Sequence, residues 1–123
     1  MAFWMFTAAG ALAAFWCCVH LIAGGRDIAA PLLAAQDLAD EVRETQYLCW
    51  HFTSVAIAGI AGFFLWAAFS VDPAYAIAGL ILSGGFAIVG IGLVVARRGN
   101  HLVTPQGWLF VPVAALGLAG LLA

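Results

Sequence analysis

The side chains that could do chemistry in this chain are few and gather in three places. His20 and His51 lie near the ends of two long apolar stretches that are consecutive in the chain. If those stretches are helices of opposite direction, the two imidazoles sit at similar depth near one face. Cys17 precedes His20 by one helical turn and shares its side. On the second stretch Tyr47, His51 and Ser54 form one stripe, and Gln46, Cys49 and Thr53 the adjoining one. A later connection adds Asn100, His101 and Gln106. Hydrogen-bonding and soft-ligand groups thus collect at one end of the molecule, and the other end is aliphatic and aromatic.

Several chemistries fit such a set. The first is structural, with polar side chains bonding between helices inside a membrane. On that reading His20 and His51 staple the first two stretches together. The second is a cofactor or metal site. His20 and His51 are then the candidate cofactor ligands, to haem iron for example, and Cys17, Cys49 and His101 the candidate soft-metal ligands. No Cys-x-x-Cys or His-x-x-x-His spacing marks such a site. The third is soft-metal transport. The adjacent pair Cys17-Cys18 resembles the vicinal pair of small mercury-transport proteins, without the proline and glycine context of that pair. Neighbouring helical residues also point about 100° apart, which disfavours a shared ligand. Catalysis has less to work with. Ser54 beside His51 is the one nucleophile and base pair, and no third group orients it.

Composition says what medium must position these groups. Of 123 residues 66% are apolar and 8% charged, and the mean hydropathy is +1.10. A soluble domain carries about 25% charged residues. Ten charges cannot cover the surface of such a globule, so lipid is the expected solvent. Four arginines and no lysine are too few to neutralise nucleic-acid phosphates, and nucleic acid is excluded as a partner. Three cysteines are an odd count in apolar surroundings, which is no disulfide framework. The first residues, Met-Ala-Phe-Trp-Met-Phe, lack the basic start of a secretory signal. The first stretch is therefore expected to be a retained helix.

The charges divide the chain. Seven lie between Arg26 and Glu44, one is Asp72, and two are Arg97 and Arg98. A spanning helix needs about 20 mostly apolar residues. Four segments are predicted as spans: residues 3–24, 46–70, 74–96 and 105–123. Helices are preferred over barrel strands because no segment alternates polar and apolar residues. Asp72-Pro73 and Thr104-Pro105 read as helix starts. Asp37 reads as the start of the second helix, and residues 25–45 as a loop with a short interfacial segment. Pro112 is expected to kink the last helix and free the carbonyl of Trp108.

The expected fold is all-α, a single-domain integral membrane antiparallel four-helix bundle. The connections holding Arg26, Arg43, Arg97 and Arg98 fall on one side by parity, and the positive-inside rule makes that side cytoplasmic. Both termini then face the periplasm. Arg26, Arg97, Arg98, Trp4 and Trp108 are assigned to the lipid interface. Close packing is expected through small residues: Gly79, Ser83 and Ala87 on the third helix, Ala58 and Gly62 on the second, Ala115 and Ala119 on the fourth.

The layout resembles small uncharacterised four-helix bacterial inner-membrane proteins. The shared pieces are His20 to Gly25 leaving the first helix, Pro31 to Leu33, Cys49-Trp50-His51, and Pro105-Gln106 before a terminal apolar helix. The resemblance covers most of the chain, implies the fold and a bacterial inner membrane, and transfers no catalytic residue. Small multidrug exporters share the length and helix count, but depend on a carboxylate inside the membrane. None lies within the predicted spans here. The leading expectation is a non-enzymatic scaffold or accessory subunit, its partners being the bilayer and another membrane protein or a second copy. The alternative is a haem- or soft-metal-binding or transport module.

Overall fold

Helix is the only regular structure in the chain. A computed structural model describes residues 1–123. Helix α1 runs Ala2–Ala34, α2 Asp40–Phe69, α3 Ala74–Ala96 and α4 Gln106–Leu122. The first three are long and apolar enough to cross a membrane. Four spans were expected, and α4 is shorter, with 17 residues. It rises about 26 Å, a little less than the hydrocarbon thickness.

The predicted loop over residues 25–45 is largely absent. The chain stays helical past Gly24 to Ala34, widening into a π-helix over His20–Ala29, and α2 already starts at Asp40. Asp37 therefore lies before the second helix and does not begin it. Only residues 35–39 link the two, and Arg43 holds them. Its Nη1 donates to the Ala35 carbonyl at 3.2 Å and its Nη2 to Asp40 at 2.6 Å.

The other ends follow local chemistry more closely. The Asp72 carboxylate accepts the Ala74 N–H at 2.9 Å, but the N-cap of α3 is Pro73, so the helix starts one residue later than the Asp72-Pro73 pair suggested. Thr104 does not repeat this before α4. Its hydroxyl donates back to the Asn100 carbonyl at 3.3 Å, and the first turn of α4 closes on Pro105. At the end of α3, Arg98 takes a left-handed φ of 52°, which lets the Gly99 N–H reach the Val94 carbonyl at 2.8 Å. Helix α4 continues through Pro112.

The helices close a ring in which α1 and α3 each pack against both α2 and α4. Phe64 of α2 fills its centre and is fully buried with Ile60 and Val113. The Phe64 ring lies against Gly79 of α3 and Gly117 of α4, where any Cβ would press on it. Phe6 of α1 stacks nearby at 6.4 Å and lies against Gly120 in the same way. Gly90 and Gly107 bring the backbones of α3 and α4 into direct contact. Glycine thus makes room for large side chains and close backbones.

On α3 the expected face is the packed one: Gly79, Ser83 and Ala87 are buried. On α2 and α4 it is not. Ala58, Gly62, Ala115 and Ala119 point outward. The inward faces are Ile57, Ile60, Ala61, Phe64 and Ala67 on α2, and Phe110, Val113, Gly117 and Gly120 on α4. Phe64 and Phe110 supply the bulk that fixes those faces, and small size alone does not locate them.

Candidate functional site

The best-formed polar cluster joins α1 to α2. Along this seam Phe3 meets Phe69, Gly10 meets Leu65, Cys17 meets Ser54, and His20 and Gly24 meet Trp50. His20 stands where the regular α1 turns give way to the π-helix. Its imidazole stacks on the Trp50 indole with centroids 3.8 Å apart and planes at 18°. One turn further on, Gly24 lies against the same indole, and a Cβ there would come within 2.6 Å of it. Trp50 is thus held between His20 and Gly24.

Hydrogen bonding fixes the imidazole. Nε2 of His20 is 3.1 Å from the Ser54 hydroxyl and 3.4 Å from the Trp50 carbonyl. The Ser54 hydroxyl also lies 3.1 Å from that carbonyl. The single Ser54 proton can go to the Trp50 carbonyl or to Nε2, and the tautomer of His20 sets which. Cys17 adds a weak contact, with Sγ 3.9 Å from the Ser54 carbonyl.

No protein-family model, no curated protein and no solved structure matches this chain. The chemistry of the cluster is accordingly read from its own geometry.

The remaining candidate residues are held apart. His51 points away from the seam, exposed, and meets Tyr47 edge-on at 4.6 Å. His101 accepts a hydrogen bond from the Trp108 indole at 3.1 Å. Cys18 and Cys49 are exposed and Cys17 is half-buried. No group of three or more His, Cys, Asp or Glu side chains comes close enough to hold a metal ion. Nε2 of His20 lies within hydrogen-bond distance of Ser54, and Trp50 covers one face of its ring.

Trp4, Trp108, Arg26, Arg97 and Arg98 are exposed. Arg26 forms a two-point bond with its neighbour Asp27 at 2.6 and 3.0 Å. The partner that sequence reading missed is Trp50, noted only within Cys49-Trp50-His51, and Ser54 was paired with the wrong histidine. The signal was present in the spacing: His20 and Gly24 share a face, as do Trp50 and Ser54.

What the cluster can do is join two helices. An imidazole nitrogen, a hydroxyl and a carbonyl lie within hydrogen-bond distance of one another across an otherwise apolar seam.

Proposed function

We propose that this chain is a small non-enzymatic membrane protein, a scaffold or accessory subunit that packs against another membrane protein or a second copy of itself. The observation that carries this reading is the outer face of α3. Gly84, Gly85 and Gly92 have open space where a Cβ would stand, between exposed Ile81, Ile88 and Val95. A helix that met only lipid there would gain nothing from glycine and would lose about 1 kcal/mol of helix propensity at each. Small residues repay that cost where another helix approaches.

The finer architecture belongs to the same proposal. The contacts from Phe3–Phe69 to His20–Trp50 step along α1 and α2 in opposite senses, which supports an antiparallel bundle. The four arginines then mark the cytoplasmic side of a bacterial inner membrane, with both termini periplasmic.

The test is purification in mild detergent after cross-linking in native membranes, with Gly85→Leu and Gly92→Leu beside the parent. A cross-linked partner or dimer that both variants lose, at unchanged thermal stability, is the expected result. A chain that stays monomeric and alone overturns the proposal. A Soret band or stoichiometric metal overturns it in favour of a haem or soft-metal module on His20, His51, Cys17 and Cys49.

A further inference from the structure

The arginines of this protein are not equivalent. Arg26 is paired with Asp27, and Arg43 with Asp40 and Glu44. Arg97 and Arg98 meet no carboxylate. Arg97 instead lines a groove of about 470 Å³ between the end of α3 and the start of α4. The remaining polar lining is Thr104 and Gln106, and no acid contributes to it. The Gln106 side-chain amide has no partner within the protein and is free to donate. Gly90 and Gly107, in backbone contact, form the floor. On the side toward the apolar spans the wall is Leu93 and Val94, and Leu93 is largely exposed.

We infer that this groove binds a phosphodiester anion, the headgroup phosphate of an anionic lipid. Its volume suits a small ligand. An unpaired guanidinium offers the fork geometry that phosphate oxygens accept in pairs, and Gln106 adds a neutral donor beside it. The exposed Leu93 side chain continues from the groove along α3, the path an acyl chain attached to that phosphate would follow. Charge, donors and apolar wall meet here in the order a lipid presents them. The site is independent of what covers the outer face of α3.

Native mass spectrometry of the full chain in detergent tests this, with phosphatidylglycerol and phosphatidylcholine added in equal amounts. Phosphatidylglycerol should be retained preferentially. Arg97→Gln should cut that retention about five-fold, while Arg43→Gln, which removes a paired arginine, leaves it unchanged. A parallel sample with excess inorganic phosphate separates the two sources of the anion. Retention that survives phosphate supports the lipid headgroup, whereas displacement by phosphate overturns the lipid assignment and makes the ligand a soluble phosphate. Equal retention of both lipids, or equal loss in the two arginine variants, overturns the site. Unchanged melting of Arg97→Gln shows that the loss is not unfolding.

Discussion

The imidazole of His20 lies flat on the indole of Trp50, 3.8 Å between centroids, while its Nε2 lies 3.1 Å from the Ser54 hydroxyl. One side chain thereby makes a stacking contact and a hydrogen bond to the same helix. That double engagement separates it from His51, whose one aromatic contact, Tyr47, is on its own helix.

His20→Ala should therefore lower the unfolding free energy by about 1–2 kcal/mol, from one membrane hydrogen bond and one aromatic contact. His51→Ala should leave it within about 0.5 kcal/mol. Thermal unfolding in detergent compares them, and equal losses would refute the distinction.

Gly24 and Trp50 are coupled by space. Gly24→Leu places a side chain where the indole stands, so it should destabilise by about 1–3 kcal/mol, as overpacking does. Trp50→Ala removes the obstacle. In a double-mutant cycle the pair should lose less than the two single changes summed. Strict additivity would place the indole elsewhere.

The glycines divide by their surroundings. Gly117 lies against the Phe64 ring and Gly62 faces open space. Gly117→Leu should prevent normal assembly, and Phe64→Ala should cost about 3 kcal/mol through the cavity it leaves. Gly62→Ala should be neutral or stabilising, by up to about 1 kcal/mol of helix propensity. Melting temperatures of the three variants give the order, and a destabilised Gly62→Ala would contradict the outward assignment.

Arg43 ties α2 to the residues that leave α1. Arg43→Ala frees the Ala35 carbonyl, so amide exchange and protease cutting across residues 35–39 should rise while the helices keep their protection. Arg26→Ala loses only an exposed neighbour pair and should leave that link unchanged. Hydrogen exchange read by mass spectrometry distinguishes them.

Orientation has its own test. With Cys17, Cys18 and Cys49 replaced by serine, Asp72→Cys should react with an impermeant maleimide from the periplasmic side. Labelling from the cytoplasm would invert the topology.

Much of this protein was legible before any coordinates. The charges at residues 26–44, 72 and 97–98 interrupt the apolar stretches, and each such stretch is a helix, so number and order of helices follow from hydropathy. Asp72-Pro73 marked the start of α3 to within one residue, because the turn before a helix is local chemistry. The faces were another matter. In water, polarity tells one side of a helix from the other, but here both sides are apolar, and Ala58 or Gly62 looks as suited to packing as Ile57 or Phe64. Only the meeting of the helices decided that Phe64 enters the space left by Gly79 and Gly117. The same holds for His20. Its depth was readable from chain position, but its partner was set by rotation of α1 against α2, which turned Trp50 and Ser54 inward and left His51 outside.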